Sequence, residues 1–174
     1  GLDPKRVEDA VSQNHGIDSM TWAKTCPTTS QCDSGLGEEC SKRLGQTSGR
    51  CVPTWFGICH AWAPASILEA EPVNPVTING VTFKVNDIKA LLELSYNSTN
   101  TKFVSLRCDA GSNPATPETF DNYGRPTGGD CKDTNPGTYH VLMTNYLGIM
   151  KQSFVEDRTR DYQVWNQPMR GYRI

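Results

Sequence analysis

The chain has 174 residues and a mass of 19.2 kDa, with 36% hydrophobic and 21% charged positions, which fits one domain with a small appendage. Its 17 basic and 19 acidic side chains give a net charge of −2, without the basic excess expected of a nucleic-acid-binding protein. No apolar run reaches the roughly 18–20 residues needed to span a bilayer. The chain starts at Gly1 without Met or a signal-peptide pattern, so we expect a processed or trimmed product.

The cysteine content is the most informative part of the composition. None of the seven cysteines has the CxxC spacing of a zinc ribbon, and no HExxH helix is present to supply other zinc ligands. Six cysteines among Gly, Ser, Thr and Pro predict three disulfides and an oxidising compartment. The sequon Asn97-Ser98-Thr99 agrees with secretion and glycosylation. One cysteine is then left unpaired.

The first predicted element is a helix over residues 3–15. Asp3 is its N-cap, Pro4 takes the first helical position and Gly16 follows its end. Residues 26–51 then carry four cysteines and almost no apolar periodicity. We expect two disulfides to hold this segment, each contributing about 2–4 kcal/mol, and the spacing does not choose among the three pairings.

A second helix is predicted after Trp55, with one buried stripe formed by Ile58, Trp62, Ala65 and Leu68. Pro64 removes one intrahelical hydrogen bond, so the helix either kinks there or begins near residue 61. The change of character at residue 55 predicts a disulfide-stapled N-terminal segment over residues 1–54 and a core region over residues 55–174.

The remaining predicted elements, in chain order, are a hairpin at 76–85, a core helix at 87–94, a strand at 102–108, a long loop at 109–138 and a strand-like stretch at 139–157. Asn79-Gly80 is the favoured pair for a type I′ turn and defines the hairpin. The long loop is rich in Pro and Gly, which favours a role as the rim of a substrate site. A Cys108–Cys131 bridge would join its two ends.

Cys59 is the candidate nucleophile. It lies just after Gly57 at the start of the predicted helix, where the helix N-terminus favours a thiolate and an unpaired backbone N–H faces a developing oxyanion. An inert buried cysteine is the competing interpretation. Elimination among the histidines favours His140 as the base, because His15 lies in the N-terminal segment and His60 points about 100° away on the helix.

A third group should orient the imidazole from its other nitrogen. If residues 139–157 form a hairpin that turns at Gly148-Ile149, Asp157 stands opposite His140 on one sheet face. Asp161 and Asn166 are the alternatives if the turn is longer. A register slip of one residue would move the carboxylate to the other face.

The order of these groups, with Gly57-Ile58-Cys59-His60-Ala61-Trp62-Ala63, resembles the papain-like superfamily, whose nucleophile opens a central helix. This resemblance implies an α+β fold in which a central helix carrying Cys59 packs on a twisted antiparallel sheet carrying His140 and Asp157. Pro53 occupies the position of the glutamine that completes the oxyanion hole in papain-type enzymes. The second oxyanion donor is therefore unassigned.

The C-terminal string Val164-Trp165-Asn166-Gln167-Pro168-Met169-Arg170-Gly171-Tyr172-Arg173-Ile174 is similar to the elicitor peptide of the oomycete (Phytophthora-type) transglutaminase elicitor family. The Cys59 region and residues 140–158 also resemble that family's catalytic core. Its members are longer, so we expect this chain to be a fragment. The motif residues expected to matter for recognition, with Trp165 and Pro168 on an exposed surface, are Trp165, Asn166, Gln167, Pro168 and Arg170.

The family resemblance implies a secreted, cell-wall-associated, calcium-dependent protein-glutamine γ-glutamyltransferase. It makes Cys59 the nucleophile, His140 the base and Asp157 the acid. Its partners would be proteins bearing Gln and Lys side chains, together with a plant surface receptor for the elicitor motif. The rival interpretations are a papain-like cysteine protease and a non-enzymatic, disulfide-rich elicitor module.

Calcium ligands and water-excluding walls are less defined by the sequence. No EF-hand loop is present, and oxygen-rich candidates for calcium lie at 33–39, Asp121 and 130–133. The aromatic candidates for excluding water from a thioester are Tyr123, Trp62 and Trp55.

Overall fold

The computed structural model describes residues 3–105, 119–123, 127, 134–159 and 163–173. Its contacts divide the chain into two compact units. The first unit comprises Gly1–Gly57 and Pro72–Leu94, and the second comprises Ile58–Glu71 and Ser95–Ile174. Residues 72–94 thus group with the N-terminal part of the chain, whereas the division predicted from the sequence includes them in the core over residues 55–174.

The architecture mixes helices and antiparallel sheets. The described helices are α1 (Pro4–His15), α2 (Cys59–Leu68), α3 (Val85–Tyr96) and α4 (Pro136–Met143), the last continuing into a π-helix at Thr144–Ile149. The described strands are β1 (Thr25–Cys26), β2 (Glu38–Ser41), β3 (Gly49–Pro53), β4 (Val76–Ile78), β5 (Val81–Phe83), β6 (Phe154–Asp157) and β7 (Asn166–Met169). In the described part of the chain, every helix is too short or too polar to cross a lipid bilayer.

Local capping chemistry forms α1 as the sequence predicts. The Asp3 carboxylate accepts a hydrogen bond from the Lys5 backbone N–H at 3.1 Å, and Pro4 occupies the first turn. The helix ends at His15, before Gly16. Asp3 therefore satisfies one of the N–H groups that the first turn of a helix leaves unpaired.

Two disulfides hold a three-stranded sheet of order β1-β3-β2. Cys26 bonds to Cys40 and Cys32 to Cys51, which confirms the expected two bridges and settles their pairing. Cys40 and Cys51 are register partners in β2 and β3, yet each bonds to a cysteine outside that pair. Gly49 is required in β3, because a Cβ there would lie 1.9 Å from the Ser41 carbonyl oxygen.

The predicted hairpin is confirmed, with Asn79 at φ 52° and Gly80 at φ 83° between β4 and β5, as a type I′ turn requires. The predicted helix over residues 87–94 is present, but α3 extends beyond that range at both ends and none of its described side chains is fully buried. Leu91 on this helix is 41% exposed. The expectation of a second core helix is thus correct in type and wrong in burial.

Helix α2 begins at Cys59 and tolerates Pro64 in its interior, so a start near residue 61 is wrong. Its buried residues are Ala61, Ala63 and Ala65. Trp62 and Leu68 are 39% and 68% exposed, so the predicted stripe is wrong except at Ala65. Small side chains on this helix suit close packing against β6 and β7, which it contacts within the second unit.

The predicted strand over residues 139–157 is wrong except for its last four residues. Asn135 caps α4 by accepting from the Thr138 N–H at 2.9 Å, and Pro136 occupies the first turn. This start signal overrides the strand preference of the following apolar residues. The expected turn at Gly148-Ile149 lies inside the π-helix, so the proposed hairpin does not form.

Two further expectations fall partly on residues that the structure does not describe. Residues 102–105 are not in a strand, which makes the described part of the strand at 102–108 wrong. Pro136–Thr138 belong to α4, so the predicted loop at 109–138 ends too late. Cys108 and Cys131 lie outside the described residues, and their predicted bridge stays a prediction.

Candidate active site

The thiol of Cys59 is not in a disulfide with any described cysteine, and the side chain is partly exposed. Cys59 is the first residue of α2, with Ile58 at the N-cap position. The sequence prediction of an unbridged thiol at a helix start is therefore confirmed. The helix N-terminus carries partial positive charge beside this sulfur.

The segment that leads into β7 contacts this thiol. The Asn166 side-chain amide donates a hydrogen bond to Cys59 Sγ at 3.3 Å. The Cys59 thiol in turn donates to the Val164 carbonyl oxygen at 3.4 Å. The sequence predicts Asn166 only as an alternative orienter of an imidazole, and the structure instead brings its amide to the sulfur.

Asp157 does not lie opposite His140. In the β6–β7 pair its register partner is Asn166. Its Oδ1 accepts hydrogen bonds from the Trp165 N–H at 2.9 Å, the Thr159 N–H at 3.2 Å and the Thr159 hydroxyl at 3.0 Å. The predicted cross-strand register of His140 with Asp157 is wrong, because residue 140 belongs to a helix while residue 157 belongs to a strand. The roles of the two side chains as base and acid stay predictions.

His140 occupies an exposed position on α4. Its neighbour Tyr139 donates a hydrogen bond to the Glu156 carboxylate, and Tyr146 meets the Phe154 ring edge-on at 6.2 Å. Glu156 and Phe154 alternate with Asp157 along β6, so they lie on the face opposite to the one that Asp157 shares with Asn166.

The pair β6–β7 therefore has contacts of two kinds. Its Asn166 face reaches Cys59, and its Glu156 face reaches Tyr139. Within the described residues, the His140 imidazole makes no hydrogen bond to Cys59 or Asp157. Asp161, the other alternative orienter, lies outside the residues that the structure describes.

The Tyr139 hydroxyl on α4 has a perturbed pKa. Burial, and then the hydrogen bond to Glu156, raise the pKa of Tyr139 to about 12. A tyrosine with this pKa is protonated throughout the neutral range. It therefore acts here as a fixed hydrogen-bond donor that attaches α4 to β6.

His60 has a partner of its own. Its Nε2 lies 2.8 Å from Asn97 Oδ1, the side chain of the sequon. The imidazole is exposed, and this contact holds it beside the end of α3. His60 is thus occupied by an amide rather than by Cys59.

The elicitor-like motif is part of the folded second unit. Trp165 is 40% exposed and donates through Nε1 to Gln163 at 2.9 Å, and Arg170 is exposed. Asn166, Gln167 and Pro168 are half-buried in β7. The expectation of an exposed surface is confirmed for Trp165 and is wrong for Pro168, whose register partner is Val155.

The described carboxylates do not gather into a cation site. Among the described residues, only Cys26, Cys32 and Cys51 form a group of three potential metal ligands with close side-chain atoms. All three are in disulfides. Asp33 Oδ1 accepts from the Gly35 N–H, and Asp121 Oδ1 from the Tyr123 N–H, each at 2.8 Å. Residues 130–133 lie outside the described residues.

The aromatic candidates for a wall differ in position. Trp62 is one helical turn beyond Cys59 on α2 and 39% exposed, so its ring lies on the same side of the helix as the thiol. Tyr123 is 83% exposed. Trp55 belongs to the first unit.

Comparison with known proteins agrees with the resemblance noted from the motif. The chain matches the Transglutaminase elicitor family over residues 1–174. The crystal structure of the GP42 transglutaminase from Phytophthora sojae is similar over 98% of this chain, with 41% sequence identity and a TM-score of 0.73. This chain spans 42% of the length of that one, and no curated protein matches it. The chain belongs to the transglutaminase elicitor family.

Proposed function

We propose that the protein is a protein-glutamine γ-glutamyltransferase that cross-links Gln and Lys side chains through a thioester on Cys59. The observation that carries this proposal is the unbridged thiol at the start of α2, in a chain whose family and structural neighbour are transglutaminases by name. The helix start, Asn166 and Val164 together fix the position of the sulfur.

In the proposed mechanism, the Cys59 thiolate attacks the side-chain carboxamide of a protein-bound Gln. The S–C bond forms, the C–N bond breaks, and ammonia leaves with a proton supplied by an imidazolium. A neutral Lys amine then attacks the thioester, giving an isopeptide bond and returning the thiolate. The imidazole accepts the amine proton in this second step, and such acid–base help typically contributes about 10²–10⁴-fold.

His140 is proposed as this imidazole on the strength of the family resemblance. Its position on α4 keeps it exposed to solvent, and His60 is engaged by Asn97. Asp157 is proposed as the acid on the same ground, and its Oδ1 also holds the strand connection through Trp165 and Thr159. That connection sets Val164 and Asn166 against the thiol.

The remaining parts of the proposal follow the family. We propose a secreted, cell-wall-associated glycoprotein, with Asn97 as the glycosylated residue, and a papain-like core. The exposed Trp165 and Arg170 are proposed to meet a plant surface receptor. Calcium dependence is also proposed, but the described residues do not fit a calcium site, so no step of the mechanism passes through the ion.

Amine incorporation tests the function. Labelled cadaverine and a Gln-containing protein are incubated with the wild type and with Cys59→Ala, His140→Ala, His60→Ala and His15→Ala, with and without a calcium chelator. We expect loss of incorporation in Cys59→Ala and a fall of about 10²–10⁴-fold in His140→Ala, while His15→Ala retains the wild-type rate. His60→Ala serves to compare the two imidazoles of the second unit.

The outcomes separate the rival functions. Peptide cleavage without incorporation would support a papain-like protease instead. Incorporation that persists in Cys59→Ala would refute the thioester, and a loss in His60→Ala but not in His140→Ala would move the base to His60. A thiol titration of the unreduced protein that finds Cys59 unreactive would support the non-enzymatic elicitor module.

A further inference from the structure

The side-chain amide of Asn166 is placed where a catalytic donor is needed. Its nitrogen lies 3.3 Å from Cys59 Sγ, the atom that forms the new covalent bond. The Cys59 S–H proton is directed to the Val164 carbonyl oxygen. The amide therefore meets a lone pair of the sulfur, which fixes its N–H side toward Cys59.

The same position is within reach of a developing oxyanion. In a tetrahedral intermediate the oxyanion and the sulfur are bonded to the same carbon, so the oxyanion forms next to the sulfur. A donor that already contacts the sulfur needs only a small rotation to reach this oxygen. Such preorganised donors in a partly buried site are typically worth about 10²–10³-fold in kcat each.

The second hydrogen-bond donor to the oxyanion has to come from a side chain. The Cys59 backbone N–H lies in the first turn of α2, where helix N–H groups have no intrahelical acceptor, and it supplies one of two donors. Pro53 stands six residues before Cys59 and has neither a side-chain nor a backbone N–H to offer. Asn166 supplies a side-chain N–H that already contacts the thiol.

Asn166 is held rigidly enough for this role. It opens β7, half-buried, and its register partner is Asp157. The Asp157 carboxylate fixes the adjoining Trp165 N–H at 2.9 Å. Because β7 also packs against α2, the amide and the thiol are positioned by the same contact between helix and strand.

We infer that Asn166 is a catalytic residue whose side-chain amide stabilises the oxyanion formed when Cys59 attacks an acyl group. This inference rests on the proposed function for the identity of the acyl group. It holds whether an amine or water later accepts that group from Cys59. It also gives the elicitor-like motif a chemical task, since its third residue contacts the nucleophile.

The test compares Asn166→Leu with Asn145→Leu, a matched loss of a side-chain amide on the π-helix. Among the described residues, the Asn145 side chain bonds only the Val141 carbonyl. Two reactions of Cys59 are measured: the acyl burst with p-nitrophenyl acetate, which passes through an oxyanion, and alkylation by iodoacetamide, which does not. We expect Asn166→Leu to slow the burst by about 10²–10³-fold, with alkylation within about threefold of wild type. Asn145→Leu should keep both rates.

Other results would overturn the inference. A normal burst in Asn166→Leu would remove the oxyanion role, and a parallel fall of burst and alkylation would show that the amide acts on the thiol itself. If Asn166→Leu fails to fold, Asn166→Asp keeps the shape, lacks the N–H and should slow the burst at least as much. A wild-type burst without amine incorporation refutes the transferase function alone, whereas absence of a Cys59-dependent burst refutes both.

Discussion

At the scale of single residues, one guanidinium organises the outer surface of the first unit. Arg43 contacts Asp9 at 2.6 Å, Glu8 at 3.0 Å and Asp18 at 3.1 Å. The first two carboxylates belong to α1, while Asp18 lies in the short helical turn after it, where Ser12 also donates to its carboxylate at 2.8 Å. Arg43 therefore attaches α1 to the disulfide-held segment.

Asp18 makes this attachment sensitive to acid. The hydrogen bond from Ser12, and then that from Arg43, hold the pKa of Asp18 below its ordinary value. Since a lowered folded-state pKa stabilises the protein above the unfolded-state value, near 3.9, this contribution is lost as the pH falls below that value.

We expect Asp18→Asn to lower the urea midpoint at pH 7 and to have progressively less effect as the pH approaches 3. Amide hydrogen exchange along α1 should rise in step in the wild type. Asp3→Asn serves as the control, because it retains a capping oxygen at the start of α1 and residue 3 is not a partner of Arg43. An Asp18→Asn effect of equal size at pH 7 and pH 3 would contradict this account.

At the scale of elements, the turn between β4 and β5 shows how two residues determine a hairpin. Asn79 and Gly80 both have positive φ, at 52° and 83°. Asn tolerates this region and Gly adopts it freely, which is why their order in the sequence predicted the hairpin with its register. A Cβ on Gly80 would meet no atom within 4 Å, so a substitution there tests backbone strain alone.

Gly80→Ala is expected to destabilise the hairpin by about 1 kcal/mol, because alanine is strained at this φ. Hydrogen exchange at the β4 and β5 amides would rise about fivefold, since 1.4 kcal/mol corresponds to tenfold. Gly171→Ala is the matched control, because its added Cβ also meets nothing and its φ is ordinary. Equal exchange in the two variants would argue against strain at residue 80.

Element prediction failed where two signals competed. Residues 139–145 carry apolar and aromatic side chains that favour a strand, and for that reason the sequence predicts a strand there. The preceding Asn135-Pro136 pair is a helix start signal, and it decided the structure. That one change of element moved His140 from a strand to a helix and removed its predicted pairing with Asp157.

At the scale of the whole molecule, the described buried hydrophobic side chains are mostly small. They are Ala23, Cys26, Cys51, Val52, Ala61, Ala63, Ala65 and Leu147. Because hydrophobic stabilisation grows with the apolar area removed from water, such side chains contribute little each. Covalent cross-links therefore carry a large share of the stability of the first unit.

Replacing both members of the Cys32–Cys51 bridge by alanine is expected to lower the free energy of unfolding by about 2–5 kcal/mol. The measurement is urea unfolding of the unreduced protein. Cys59→Ala, which removes a thiol and no bridge, should change the free energy by less than about 1 kcal/mol. An unchanged midpoint in the bridge variant would show that the sheet order β1-β3-β2 is maintained by its hydrogen bonds alone.

The sequence by itself determined the features that depend on neighbouring residues. These are the capped helix α1, the Asn79-Gly80 hairpin, the helix that Cys59 opens and the motif that marks the family. Each is set by local backbone preferences or by a string of adjacent side chains, which a linear sequence displays directly. The odd number of cysteines likewise predicted an unpaired thiol.

Only the tertiary structure decided which distant residues meet. The pairing of four cysteines, the register of Asp157 with Asn166 and the contact of Asn166 with Cys59 all join positions whose separation carries no local signal. They depend on how strands align and how a helix packs on them, where one residue of slip changes every facing side chain. For that reason the sequence identified the unpaired thiol of Cys59, and the fold identified its hydrogen-bond donor.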